Sequence, residues 1–414
     1  MNAVKNIVDD LTSFTAGLIN IPSFTGQEQE MAEAVLKKLQ EVGVDEAWID
    51  GIGNVTGVLY GAGEGPNILL SGHLDIVPAG RLENWQHDPF GGEIDAQGNL
   101  HGRGAADMKG GLAAILFTMQ LFKGLKDQGI RLPGNLIFSG VVYEEAAEMF
   151  GMEYLVTKTL PEKGLSFDVC YLAEPTSGRI HLGHRGKVEL VLTTRGRTAH
   201  SSSPWMGINA LEKMTPVLER IFNQIGPNLP SHPQLGKCSI TVTNLVCRPG
   251  ALSIIPDECE ISIDRRYLPG EDLPGILQSF DELFAELKAS DPEFEASIRA
   301  RTILETSYTG YQKEVQKHHP VWILEVDHPF VQKTRQALQR VGLPAEIGYW
   351  RGGTDASMTA GLLGIPTIGY SGAEESLAHT PEEHIPLRVL AEDVEAYVSI
   401  LCELFGIDLS ELDK

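Results

Sequence analysis

Residues 5–42 read as a helix, a loop around Pro22-Ser23-Phe24-Thr25-Gly26, and a second helix in which Ala32, Val35, Leu36, Leu39 and Val42 recur at helical spacing. Gly43 supplies the stop signal of the second helix. Four apolar runs of strand length follow at 67–71, 135–142, 169–173 and 365–370, each with Gly or Pro close by. Helical patterns lie between them, notably over 110–125. The alternation predicts an α/β layered fold, a mixed-sheet α/β/α unit whose sheet is buried on both faces.

From 184 to 306 the pattern changes. Strands are predicted over 187–194, 239–247, 258–266 and 294–302, with helices over 209–225 and 272–289. This βαββαβ order matches a ferredoxin-like split unit. The chain therefore divides into 1–183 and 307–414, two parts of one domain, with 184–306 inserted between them. The stretch 306–320 reads as an irregular connection.

Composition narrows the function. The 33 Lys and Arg against 56 Asp and Glu give a net charge of −23, which repels nucleic acids and anionic membranes. With 42% apolar and 21% charged residues, the chain has the balance of a globular protein rather than a disordered one. No apolar run approaches the ~18 residues that span a bilayer. The first residues lack a basic segment followed by an apolar one, so the expectation is a cytoplasmic protein without a signal peptide. Cys170, Cys238, Cys247, Cys259 and Cys402 are scattered and form no CxxC pair, which suits buried reduced thiols.

Charged residues fall where the predicted strands end. The run at 67–71 leads into His73 and Asp75, the run at 135–142 into Glu144 and Glu145, and the run at 169–173 into Glu174. Ligands of open α/β sheets bind beyond the carboxyl ends of strands. Carboxylates crowded there repel one another unless a cation or a shared proton relieves them. His with Asp and Glu, and no Cys nearby, suits a catalytic Zn²⁺, Co²⁺ or Mn²⁺ site. Asp107, in a glycine-rich segment before a helix, reads on its own as a helix cap.

Taken in chain order, His73-Leu-Asp75, Trp85-Gln-His-Asp88-Pro89-Phe90, Gly102-Arg-Gly-Ala-Ala-Asp107-Met-Lys-Gly-Gly111, Glu144-Glu145, Glu174-Pro-Thr176 and Ala378-His379 resemble the dinuclear zinc amidohydrolase and metallopeptidase family. That family includes acetylornithine deacetylase, succinyl-diaminopimelate desuccinylase, aminoacylase and glutamate carboxypeptidase. The match runs from about residue 20 to 390. It implies that the inserted domain is a lid and a dimerisation domain, and that the protein is a homodimer.

Carried over by motif, the resemblance makes Asp107 the bridge between two metal ions. His73 and Glu174 complete one, and Glu145 and His379 complete the other. Asp75 would orient His73, and the Asp107–Met108 peptide would be cis. Glu144 would be the general base for a metal-bridged hydroxide. His200, in Thr198-Ala-His200-Ser-Ser, would steady the oxyanion in the partner subunit's site. Arg266 would fork onto the substrate carboxylate, although a salt bridge within Asp264-Arg265-Arg266 is an equal reading. Gly372 would present its N–H to substrate. The implied substrate is an N-acyl amino acid or a short peptide with a free carboxylate.

Deacylase and dipeptidase or glutamate-carboxypeptidase activities stay open, as does a non-catalytic metal-retaining binding protein. A serine hydrolase is disfavoured, because Tyr370-Ser371-Gly372 lacks the Gly-x-Ser-x-Gly elbow. Two departures from the family pattern bear on specificity. Tyr143 stands where Asp is common before the Glu pair, and Ser253 stands where Asn is common. The turn Ala146-Ala147-Glu148-Met149-Phe150 is also bulkier than usual.

Overall fold

The computed structural model describes residues 2–146 and 148–413; Ala147, in the turn after the Glu pair, lies outside the described residues. Nine strands form one mixed sheet, in the order Glu46–Ile49, Val55–Leu59, Leu136–Val141, Ile68–His73, Val169–Leu172, Thr367–Gly369, Ile180–His184 and Trp322–Ile323, with Ile347–Trp350 also paired to Ile180–His184. From Leu136–Val141 to Thr367–Gly369 neighbouring strands are parallel. Antiparallel partners flank this centre.

The central strands are buried along their whole length because helices cover both faces. Leu70, Phe138 and Tyr171 pack with Leu112 and Phe117 of the helix Gly110–Asp127 and with Val394 of Leu387–Phe405. Leu69, Ile137 and Cys170, one residue out of phase, face Met152, Leu155 and Met358 on the other side. Gly111 lets the helix Gly110–Asp127 start against a strand end, since a Cβ there would lie 2.1 Å from the Ala173 carbonyl oxygen. That contact brings the residues before the helix to the same edge as Glu174.

The four apolar runs are all strands of this sheet, and the mixed α/β class is as expected. The helices Val8–Ile19 and Gln29–Val42 form, the latter ending on left-handed Gly43. Strands such as Ile180–His184 escaped the sequence pattern because its Ile-His-Leu-Gly-His carries buried histidines in place of an apolar run. The stretch 306–320 corrects the expectation of an irregular connection. Thr302–Thr306 pairs antiparallel with Gln312–Gln316, and His318–His319 pairs with Gly186–Arg195. Both strands of that hairpin are too polar to show a periodic apolar face.

A second, antiparallel sheet holds Ser239–Arg248, Glu258–Tyr267, Gly186–Arg195 and Glu295–Ala300 side by side. Glu258–Tyr267 alternates buried and half-buried residues throughout, as a sheet covered on one face must. The helices Ala210–Arg220 and Leu273–Ser290 cover that face, packing Met214, Val217 and Phe280 on Leu190, Leu192 and Ile261. Asn209 and Asp272 cap them through the N–H groups of Leu211 (3.0 Å) and Gly275 (2.8 Å). No helix among the described residues is long and apolar enough to cross a membrane.

Candidate active site

Three neighbouring parallel strands end side by side and supply the site. His73 closes Ile68–His73, Glu144 and Glu145 follow Leu136–Val141, and Glu174 follows Val169–Leu172. Successive strand residues point to opposite faces, so an adjacent Glu pair shares a site only if the chain turns. Tyr143 makes that turn with a left-handed φ of 62°. Its hydroxyl donates to the Thr306 carbonyl, and its N–H donates to the buried Glu28 carboxylate at 3.3 Å.

Asp75 acts differently from the implied arrangement. His73 Nδ1 lies 2.8 Å from the main-chain oxygen of Asp75 and 3.7 Å from its carboxylate. The carbonyl places the ring proton on Nδ1 and leaves Nε2 free to bind a metal. The Asp75 carboxylate instead accepts the N–H groups of Glu144 (3.0 Å) and Glu145 (3.1 Å) and the Thr25 hydroxyl (2.7 Å). One residue thus orients both the histidine and the Glu pair.

Asp107 is not a helix cap. Its backbone is extended (φ −124°, ψ 93°), and its peptide bond to Met108 is cis. Its Oδ1 lies 3.0 Å from His73 Nε2, and its Oδ2 lies 3.2 Å from His379 Nε2. His379 Nε2 is also 3.1 Å from Glu145, and His73 Nε2 is 3.9 Å from Glu174. Two sets of ligand atoms, His73–Glu144–Glu174 and His73–Asp107–Glu145, each lie within 4.8 Å of one another.

The electrostatics show what this cluster is suited to hold. Burial and then the neighbouring Glu174 push the Glu144 carboxyl well above its ordinary range, and burial does the same to Glu174. Glu145 is raised by burial and by Asp107. Burial opposes ionisation of Asp107, but hydrogen bonds from His379 and His73 hold it low. His379 is lifted to about 10 by Asp107 and Glu145. Packed carboxylates and imidazoles without a Cys are the donor set of a divalent cation, which would neutralise this charge.

The other candidates lie apart from this group. His200 is exposed and bonds Ser202 through Nδ1 (2.8 Å to Oγ); among the described residues no hydrogen bond joins it to the cluster. Arg266 forks onto Asp264 (2.8 and 3.2 Å), so the salt bridge is the arrangement present. It still lies near His184, whose Nε2 accepts the Thr354 N–H beside Asp355. Gly372 does not offer its N–H to the cleft, because the buried Asp393 carboxylate takes it at 2.6 Å.

Further residues stand beside the cluster, and the glycine-rich segment Gly352-Gly-Thr-Asp355-Ala-Ser357 marks one of them in the sequence. Asp355 is buried beside Asp75 and His73, and burial raises it to about 7. A cavity of about 480 Å³ is lined by Thr176, Arg179, His181, Arg351 and Glu375, starting two residues along the chain from Glu174. Arg351 and Arg179 bring positive charge there. Isolated arginines in loops carry no sequence pattern that would mark them.

The chain is 29% identical over 385 residues to the uncharacterized protein YgeY of Escherichia coli (strain K12), covering 92% of this chain and 91% of that one. It is 30% identical over 268 residues to succinyl-diaminopimelate desuccinylase of Stutzerimonas stutzeri (strain A1501), covering 63% and 68%. The fold superposes with a TM-score of 0.70 on the YXEP protein of Bacillus subtilis, a dinuclear metal binding peptidase, at 16% identity over 98% of this chain and 99% of that one. The model of peptidase family M20/M25/M40 matches residues 69–403, a span that holds the whole cluster from His73 to His379. The chain is a metal-dependent hydrolase and belongs to that family.

Proposed function

We propose that this protein hydrolyses the amide bond of an N-acyl amino acid or a short peptide with a free carboxylate. The observation that carries the reading is Asp107, whose two oxygens face His73 and His379 from different parts of the chain. His73, Asp107 and Glu174 would hold one divalent ion, and Asp107, Glu145 and His379 a second. Zn²⁺ suits the ligands, and Co²⁺ or Mn²⁺ can replace it. Bound, the ions supply Lewis acidity and lower the pKa of water. Glu144, half-buried and fixed by Asp75, takes a proton from water and delivers it to the leaving amine.

Residues 184–306 are proposed as an inserted lid and dimerisation domain between 1–183 and 307–414. Its outer strand Ser239–Arg248 is largely exposed, and Trp205 (76% exposed), Met206 (64%) and Leu252 (fully exposed) stand beside the His200 loop. An unpaired edge with apolar flanks is a surface for a second copy. In such a homodimer His200 would reach the partner's site to steady the oxyanion. Arg266 would anchor the substrate carboxylate from the lid side, with Arg351 in the adjoining cavity.

The test is release of free amine from acetyl, succinyl, formyl and aminoacyl derivatives of amino acids, with Zn²⁺, Co²⁺ and Mn²⁺ and after chelation. Turnover of acyl derivatives alone supports a deacylase, and turnover of aminoacyl derivatives supports a peptidase. Bound metal without turnover of any of them would favour a non-catalytic binding protein and overturn the proposal.

A further inference from the structure

We propose that Glu383 is the positioning residue of the metal centre, an inference that rests on the two-metal reading above. A bridging carboxylate works only if both oxygens are aimed, and Asp107 sits on extended backbone that no helix holds. Glu383 supplies the missing restraint. Its Oε1 accepts the N–H groups of Gly104 (2.9 Å), Ala106 (3.1 Å) and Asp107 itself (3.0 Å), and its Oε2 pairs with Arg103.

The restraint also joins the two ligand-bearing segments. Glu383 follows His379 in the same loop, and its main-chain oxygen accepts the Gly102 N–H at 3.1 Å. The next residues, His384–Pro386, pair antiparallel with Asn99–His101. Beyond Asp107, the buried Lys109 ammonium donates to the Leu18 (2.9 Å) and Ile21 (2.6 Å) carbonyls and anchors the far end of the segment. Glu383 is 1% exposed, so no water replaces these bonds. The side chain touches no reacting atom. It acts through Asp107 and His379, and what it sets is the distance between the two metals' ligands.

The position of the acceptor, not its charge, is therefore decisive. Glu383→Asp keeps the charge and shortens the arm. Glu383→Gln keeps an acceptor oxygen in place and removes the charge, and Arg103→Met in the same chain removes the cation left unpaired. Binding of Mn²⁺, read by the free-ion EPR signal, should show two ions in the wild type. Glu383→Asp and Glu383→Ala should bind about 10–100-fold more weakly, while the Arg103→Met/Glu383→Gln chain stays within about threefold of wild type. Near-UV circular dichroism checks that each variant is folded, and the Asp and Gln variants suffice if the Ala variant is not. Wild-type Mn²⁺ affinity in Glu383→Asp, or an equal loss in the Gln chain, would overturn the proposal while leaving the metal reading intact. No Mn²⁺ bound to the wild type would overturn both.

Discussion

The Asp75 carboxylate accepts the backbone N–H of Glu144 at 3.0 Å and, with its other oxygen, that of Glu145 at 3.1 Å. One side chain therefore fixes the turn that carries the candidate base and a candidate ligand. Asp75→Asn presents an amide hydrogen to one of these N–H groups and turns an acceptor into a clash. The expected result is a fall in kcat of about 100-fold, the size of a misplacement of about 1 Å at a reacting group, with the fold retained. Steady-state kinetics beside a thermal melt would check it.

Glu144 is half-buried beside Glu174 and His73 but forms neither of the His379 contacts. Glu144→Gln keeps the shape and removes the proton acceptor. Turnover should fall by at least about 100-fold while two metal ions remain bound. Elemental analysis of the purified variant, together with its kcat, decides the point. Retained turnover would remove the assigned role.

His200 and Glu144 should complement each other between subunits. Chains carrying Glu144→Gln and chains carrying His200→Ala are each expected to be nearly inactive. Mixed and allowed to exchange subunits, they should recover about a quarter of wild-type activity, because mixed dimers contain one intact site. No recovery despite demonstrated exchange would place His200 outside the partner's site.

Glu148 lies between the two sheets, 3.1 Å from the Lys187 ammonium and 2.5 Å from that of Lys317. Lys187 belongs to the second sheet, and Lys317 joins the hairpin to His318–His319, which pairs with that same sheet. Glu148→Ala strands two cations, one of them buried, and should destabilise the protein by about 3–5 kcal/mol. Urea unfolding would measure it. Glu148→Gln should recover part of the loss by hydrogen bonding.

Asp393 takes the Ser371 hydroxyl (2.7 Å) and the Gly372 N–H (2.6 Å), and burial raises its carboxyl to about 7. The folded-state value lies above the unfolded one. Between pH 4 and 7 the native protein thus binds a proton that the unfolded chain does not. The stability this contributes is complete at low pH and is lost as pH rises through about 7. Asp393→Asn should flatten that part of the stability profile relative to wild type. Paired denaturation curves at pH 4.5, 6 and 7.5 would show whether the difference has this sign.

The parts of this molecule legible in the sequence are those written locally. Apolar runs that end in His73, Glu144 and Glu174 announce strands with charged carboxyl ends, and βαββαβ order is visible because each element has its own period. Ile180–His184 and Thr302–Gln316 were not legible, because buried histidines and a polar hairpin carry no apolar rhythm. Tyr143, which departs from the family pattern, became intelligible as the left-handed residue that turns the chain.

That acids and histidines collect at one sheet edge follows from local order, since strand ends and the charges beyond them are set by neighbours a few residues apart. Which atom faces which is set by the packed chain. Asp75 serves the Glu144 N–H from 69 residues away, Asp393 takes Gly372 from 21, and Glu383 holds Asp107 from 276. A hydrogen bond depends on direction and on distances of about 3 Å. Those are fixed by packing among distant segments and leave no pattern in the order of residues.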